Sequence, residues 1–277
     1  MEGKIVKIIS NLYTVSSDNK LYECRARGKI RFDKLTPLVG DKVIFDEKDK
    51  YILEILPRKN SLDRPMISNV DSALIITSVK KPDLSLNLLD KELVVTLSNN
   101  IEPIIVFTKL DLLKKQEMKY IKTIMNYYRK IGIKVCTNNG LFRLKRYIKN
   151  KTLVLTGQTG AGKSTLLNKL NKKLNLATNE ISEALGRGKH TTRHVELFNY
   201  KSSFIADTPG FSSLDLKNMS NEEIKNTFIE FKNIECPYKD CSHTNENECM
   251  IKSLVKNGKI MKSRYDNYIK FVKENIH

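Results

Sequence analysis

No stretch of this chain approaches the roughly 20 consecutive apolar residues that a membrane-spanning helix needs. The first residues, Met1-Glu2-Gly3-Lys4-Ile5-Val6, lack the apolar core and small-residue cleavage site of a signal peptide. These absences predict a cytoplasmic protein with no membrane partner. Acidic residues are outnumbered, 31 Asp and Glu against 49 Lys and Arg, which leaves a net charge of +18. Such an excess favours a polyanionic partner, although a Lys-rich, merely solvated surface has the same composition. Cysteine is sparse, five in 277 residues. Without an export signal that number argues against a disulfide framework and for metal ligation or isolated buried thiols. No internal repeat or low-complexity tract is present. Hydrophobic residues at 40% and charged residues at 29% are enough for a buried core and exclude global disorder.

The hydrophobic pattern divides the chain into three segments. Residues 1–65 carry short β-rich runs, Ile5-Val6-Lys7-Ile8-Ile9, Leu21-Tyr22-Glu23-Cys24-Arg25, Lys42-Val43-Ile44-Phe45 and Tyr51-Ile52-Leu53-Glu54-Ile55, punctuated by Gly28, Pro37, Gly40, Asp49 and Pro57. Several short strands in so small a span predict a closed barrel, an OB-fold first among them. Tyr13, Tyr22, Arg25, Arg27, Arg31 and Phe32 are candidates for stacking on single-stranded nucleic acid, the aromatics being alternatively barrel core.

Residues 66–217 alternate apolar β runs with helical stretches. Ala73-Leu74-Ile75-Ile76-Thr77, Ile104-Ile105-Val106-Phe107, Leu153-Val154-Leu155-Thr156 and Phe204-Ile205-Ala206 read as strands buried on both faces, with helices over 86–98 and 112–131. That alternation predicts a doubly wound α/β sheet. Residues 109–151 hold 13 Lys and Arg against 2 Asp and Glu, so the excess charge is concentrated there. Residues 218–277 are predicted mostly helical, around a cysteine cluster.

Gly157-Gln158-Thr159-Gly160-Ala161-Gly162-Lys163-Ser164 matches the phosphate-loop pattern G-x-x-x-x-G-K-[ST] in full. It follows a strand and opens a helical run over 164–174, with Thr165 after it. Backbone N–H groups of such a loop point at phosphates, Lys163 reaches the β- and γ-phosphates, and the Ser164 hydroxyl ligates Mg²⁺. Asp207-Thr208-Pro209-Gly210 follows the next buried strand. Its Asp207 suits Mg²⁺ through water and Gly210 leaves a backbone N–H for the γ-phosphate. Between the two lies Gly186-Arg187-Gly188-Lys189-His190-Thr191-Thr192, a Gly-rich loop in which Thr192, or alternatively Thr191, is placed to reach Mg²⁺. The position after Gly210 is Phe211, which cannot orient a water as the usual Gln does. His190 is the candidate to supply that function, contact with RNA or solvent being the other reading.

A guanine base is read by Asn/Thr-Lys-x-Asp after a strand, the Asp carboxylate accepting two guanine N–H groups that adenine lacks. That pattern occurs as Thr108-Lys109-Leu110-Asp111, upstream of the phosphate loop. The order is therefore base-reading loop, phosphate loop, switches, whereas ordinary small GTPases place the base-reading loop after the others, a permutation that a doubly wound sheet tolerates. Cys236, Cys241, His243 and Cys249 form C-x4-C-x-H-x5-C, three thiolates and an imidazole suited to one structural tetrahedral Zn²⁺. Cys24 and Cys136 stand alone, as isolated buried thiols do.

With these motifs, Cys24-Arg25-Ala26-Arg27-Gly28-Lys29, Val39-Gly40-Asp41-Lys42-Val43, Arg64-Pro65 and Asn69-Val70-Asp71, the sequence resembles the circularly permuted GTPase family RsgA, also called YjeQ or EngC, over nearly its whole length. The resemblance implies an OB-fold, a permuted P-loop GTPase domain and a zinc-binding tail. It also implies a monomer that binds GTP and GDP and acts, stimulated by ribosomes, on the small ribosomal subunit and its rRNA late in maturation. Two departures stand out. Thr108 occupies a position where guanine readers most often have Asn, and Cys136-Thr137-Asn138-Asn139-Gly140 matches the family's Ser-Ala-Lys-like guanine loop poorly. Two other classes fit parts of the sequence: a nucleic-acid-dependent P-loop ATPase, in which Asp111 has no purpose, and a passive RNA-binding module, in which Lys163, Ser164, Asp207 and Gly210 have none.

Overall fold

A computed structural model of the chain describes residues 1–26, 36–63, 65–170, 195–207 and 216–275. The first five strands are β1 (Glu2–Ile9), β2 (Leu12–Ser17), β3 (Lys20–Ala26), β4 (Lys42–Asp46) and β5 (Tyr51–Ile55). They pair in the order β1-β2-β3-β5-β4, and β4 returns to β1. The result is the closed five-stranded barrel expected of an OB-fold. β2 was not legible as an apolar run because only alternate residues, Tyr13 and Val15 among them, turn inward. Ile5, Tyr13, Val15, Cys24, Val43, Phe45 and Ile52 fill the interior. Tyr13 is therefore core rather than a stacking platform, and half-buried Tyr22 lies 5.1 Å from the Phe45 ring. Arg27, Arg31 and Phe32 lie outside the described residues.

The barrel is joined to the rest by a short hairpin, β6 (Ser61–Asp63) and β7 (Met66–Ser68). Asp41, fully buried, organises this junction. Its carboxylate accepts from Ser68 Oγ at 2.6 Å, from the Leu38 N–H at 2.8 Å, and from Arg58 at 2.7 and 2.8 Å.

The central sheet contains β8 (Ser72–Ser78), β9 (Glu102–Thr108), β10 (Lys134–Thr137), β11 (Thr152–Thr156), β12 (Glu196–Tyr200) and β13 (Ser203–Asp207), in the order β10-β9-β8-β11-β13-β12. β10, β9, β8, β11 and β13 run parallel, and β12 turns back antiparallel to meet β1 of the barrel at Lys7 and Glu196. Successive side chains on a strand point to opposite faces, so each apolar run feeds two cores. Ile75, Ile105, Phe107 and Val135 pack under helices α1 (Leu86–Ser98) and α2 (Lys115–Lys130). Leu74, Ile76, Ile104 and Val106 pack under α3 (Leu141–Ile148) and α4 (Lys163–Leu170). α2 starts later than its spacing predicts because Leu110–Leu112 forms a 3₁₀ turn and the Glu117 carboxylate caps the Lys114 N–H at 2.6 Å.

The C-terminal segment is helical at its ends only: α5 (Asn221–Thr227), the 3₁₀ turn Ile229–Phe231, an irregular stretch over 232–249, then α6 (Met250–Lys256) and α7 (Lys262–Glu274). α7 packs on α1 through a buried charge network. The Arg264 guanidinium, 1% exposed, donates to Asp90 Oδ1 at 2.8 Å and to both oxygens of Glu230 at 2.8 and 3.0 Å. Tyr128 Oη and Asn267 Nδ2 donate to Asp90 at 2.6 Å each, and the Phe228 ring lies 4.4 Å from the guanidinium. Removing one partner of such a network strands the others in a low dielectric. Arg264→Ala is expected to lower stability by about 3–5 kcal/mol, read as a fall in the urea midpoint with the dependence on urea concentration unchanged.

Candidate functional site

Strand β11 lies between β8 and β13 with all five residues buried, and the chain leaves its C-terminal end in a tight loop over 157–162. Gly157 has φ +130°, and a Cβ there would meet the Ile76 carbonyl oxygen at 2.1 Å, so only glycine fits. Gly162, at φ +97°, turns the chain into α4, where the Leu166 N–H bonds the Gly162 carbonyl at 3.0 Å. The Lys163 ammonium donates to the carbonyl oxygens of Gly157 and Gln158 at 2.6 and 2.9 Å, across the mouth of the loop. Ser164 is half-buried at the first turn of α4; Thr159, Gly160 and Thr165 are exposed. α4 is described to Leu170, so 171–174 of the expected helix fall outside the described residues.

Thr108-Lys109-Leu110-Asp111 leaves the C-terminal end of β9, at the same edge of the sheet. Thr108, 2% exposed, donates through Oγ1 to the Ala161 carbonyl oxygen at 2.6 Å. The departure from Asn at this position therefore keeps the brace onto the phosphate loop, with a hydroxyl as donor. Lys109 takes a left-handed conformation, φ 59°, and its ammonium donates to the Lys81 carbonyl. Leu110 follows it half-buried and Asp111 is exposed within the 3₁₀ turn. The segment 136–140 emerges beside it from β10, where the Asn138 N–H donates to the Phe107 carbonyl at 3.0 Å. Asn138 Oδ1 is buried with no hydrogen-bond partner among the described residues.

Parallel strands place their carboxyl ends on one side, where open α/β sheets bind ligands. Here that side brings together the loops after β9, β10 and β11 and the end of β13, where the Asp207 backbone pairs with Glu196. The Asp207 side chain, Thr208, Pro209, Gly210 and Phe211 lie outside the described residues, as do 186–192 with His190, Thr191 and Thr192.

The sequence reading missed Glu92. This residue of α1 is 3% exposed, and its Oε1 accepts from Thr156 Oγ1, directly before the phosphate loop, at 2.8 Å. Burial pushes its carboxyl up to about 7, opposed by the Thr156 hydrogen bond and the Lys163 charge. A Glu on an amphipathic helix normally marks a solvated face, so no local pattern distinguishes this one.

The cysteine cluster closes the irregular stretch before α6. One ligand atom from each of Cys236, Cys241, His243 and Cys249 lies within 4.8 Å of all the others. His243 Nδ1 is 3.6 Å from Cys236 Sγ and 3.4 Å from Cys249 Sγ. Burial and the neighbouring thiols of Cys236 and Cys249 push the Cys241 thiol up to about 12 against the His243 N–H, a crowding of soft donors that a bound cation relieves by holding them as thiolates. The Glu246 carboxylate stitches the loop, accepting from the N–H groups of Ser242 and Thr244 at 2.6 and 3.0 Å, and Tyr265 Oη on α7 donates to the His243 carbonyl at 2.8 Å. The four residues fit a metal ion with no open position. Cys24 and Cys136 are buried away from the cluster.

Glu92 sets a pH dependence. Its folded value near 7 lies above the ordinary 4.5, so the unfolded chain releases this proton first. Stability falls as pH rises from about 4.5 to about 7 and is level above, a loss of about 3 kcal/mol from this group. Glu92→Gln keeps an acceptor for Thr156 without the charge. Its melting temperature is expected to exceed that of wild type by a margin that widens up to about pH 7, measured by thermal denaturation across that range.

Comparison with known proteins agrees with this architecture. A family model described as RsgA N-terminal domain matches residues 2–51, and one described as RsgA GTPase matches residues 55–217. A relative from Latilactobacillus sakei named small ribosomal subunit biogenesis GTPase RsgA is 44% identical over 281 residues, covering 97% of this chain and 94% of the relative. One of the same name from Limosilactobacillus fermentum is 46% identical, covering 97% and 95%. Among solved structures, YloQ, titled a circularly permuted GTPase, superposes with TM-score 0.84 at 37% identity over 99% of this chain and 94% of its own. YjeQ from Thermotoga maritima gives TM-score 0.87 at 32% identity, over 99% and 98%. With a barrel, a permuted phosphate-loop sheet and a Cys₃His cluster in that order, the chain belongs to the RsgA GTPase family and is a GTP hydrolase.

Proposed function

We propose that this chain is a ribosome-stimulated GTPase of late small-subunit maturation, which hydrolyses GTP to GDP and phosphate while bound to ribosomal RNA. The nucleotide part of this reading rests on the Thr108 to Ala161 hydrogen bond, which holds the base-reading and phosphate loops as one unit, and the small-subunit part on the name its relatives carry. In that unit Asp111 reads the guanine N–H groups, Lys109 lies along the base, and backbone N–H groups of the loop over 136–140 face guanine O6. The loop over 157–162 wraps the phosphates, Lys163 neutralises their charge, and Ser164 and Thr192 hold Mg²⁺ with Asp207 behind a water. Gly210 senses the γ-phosphate, and hydrolysis releases both switches. Residues 1–65, 66–217 and 218–277 are the RNA-binding barrel, the GTPase domain and the zinc-binding domain of a cytoplasmic monomer. An ATPase would have no purpose for the guanine-reading carboxylate, and a passive module none for an intact phosphate loop.

The ion in the Cys₃His cluster is Zn²⁺, which suits three thiolates and an imidazole and, with four protein ligands, is structural. Because its binding is part of the folding free energy, about one zinc per chain is expected by elemental analysis. Cys241→Ser is expected to lose the metal and loosen residues 218–277, seen as rapid hydrogen exchange there, while GTP still binds.

Phe211 removes the usual water-orienting group, so turnover of the isolated chain is slow, and docking on the subunit completes the site through His190. Small subunits are expected to raise GTP turnover by about an order of magnitude or more, with no turnover of ATP, and the gain fades as salt weakens phosphate contacts. His190→Ala should keep nucleotide affinity and lose most of the stimulation in the same phosphate-release assay. Acceleration by large subunits or free RNA alone would replace the small-subunit assignment.

A further inference from the structure

Helix α3 commits only part of its surface to the fold. Leu144 and Ile148, at 0% and 1% exposure, turn into the core beneath the sheet. At i, i+3 and i+4 the opposite face carries Phe142, Lys145 and Arg146, with Lys149 at the helix's C-terminal cap, all exposed. Phe142 is 85% exposed, more than any other large hydrophobic side chain among the described residues. The helix contains no acidic residue, and among the described residues no ion pair uses its three outer cations. The stretch around it, residues 109–151, holds 13 basic residues against 2 acidic ones.

An isolated phenyl ring held in water beside three cations gives the folded monomer nothing. It suits a partner with flat faces and a negative backbone. Unpaired bases stack on aromatic side chains in a sequence-tolerant way while cations follow the phosphates. A membrane surface requires a broad apolar face, and α3 has already turned Leu144 and Ile148 inward. An acidic protein would satisfy the cations and leave the ring without a flat partner.

We propose that the outer face of α3 binds single-stranded RNA, Phe142 stacking on an unpaired base while Lys145, Arg146 and Lys149 contact the flanking phosphates. The proposal rests on the ribosomal-RNA reading for the class of partner and adds the place and mode of contact.

The test is fluorescence anisotropy of a labelled, mixed-sequence single-stranded RNA titrated with the full chain in GDP over a range of salt. Phe142→Ala is expected to weaken binding about tenfold at every salt concentration, with the salt slope unchanged. Lys145→Ala combined with Lys149→Ala is expected to flatten the log–log salt slope by about 0.7 for each phosphate that is no longer neutralised. Basal GTP turnover and melting temperature stay at wild-type values in both variants. Wild-type affinity in Phe142→Ala, an unchanged slope in the lysine variant, or tighter binding of duplex than of single strand would each overturn the proposal. So would a wild-type dimer, seen by sedimentation, that Phe142→Ala dissociates. Small-subunit stimulation of wild type, measured in parallel, separates the two readings. If it is present while Phe142→Ala binds RNA normally, only this surface falls. If it is absent while the oligonucleotide effects hold, the ribosomal reading falls and the RNA surface stands.

Discussion

The guanidinium of Arg264 is the point through which the C-terminal segment and the GTPase sheet are held together. It is enclosed by Asp90 on α1, Glu230 after α5, and the Phe228 ring, with Tyr128 and Asn267 completing the Asp90 carboxylate. Buried charges tolerate little rearrangement, because any geometry that separates them leaves each desolvated and unpaired. The network therefore selects one seating of α7 on α1. Tyr265, one residue beyond Arg264, bonds the His243 carbonyl, so the same helix also positions the metal loop.

α1 carries a second buried carboxylate two residues from the first. Asp90 and Glu92 are about 200° apart around a helix of 3.6 residues per turn, so they face opposite sides. Asp90 faces the C-terminal helices, while Glu92 reaches Thr156 under the phosphate loop. One helix thus lies under the phosphate loop on one side and against the segment that carries the Cys₃His cluster on the other. Along the other direction of the sheet, Thr108 performs the equivalent service between β9 and the phosphate loop. A permuted chain order does not disturb any of this, since the loops meet through the carboxyl ends of parallel strands rather than through their succession in sequence.

Much of the molecule is legible without any fold. The phosphate loop, the Thr108 to Asp111 motif and the Cys₃His spacing each declare their chemistry in a few contiguous residues. The central strands β8, β9 and β11 read as apolar runs because both faces are covered, and β8 and β11 are buried at every residue. β2, β10 and β12 are harder to read. β2 turns only alternate side chains inward, β12 buries only Leu197 and Tyr200, and β10 is four residues long with a lysine at its start. Tyr13 reads as platform or core, with core favoured, until closure of the barrel places it inside.

Short stretches of sequence suggest the chemistry, which residues are suited to cradle phosphate, read guanine or hold a soft cation, because those abilities reside in local backbone freedom and donor type. How Thr108 replaces the usual Asn is a tertiary matter, because the bond it makes runs to Ala161, 53 residues away. The same holds for Asp90, Glu92 and Arg264, charged residues of types usually found in solvent. Their burial depends on which helix packs against which, and the Arg264 to Asp90 contact spans 174 residues. Exposure of Phe142 is the converse case. An apolar residue on an amphipathic helix is expected in the core, and only the direction in which α3 turns Leu144 and Ile148 leaves the ring in water.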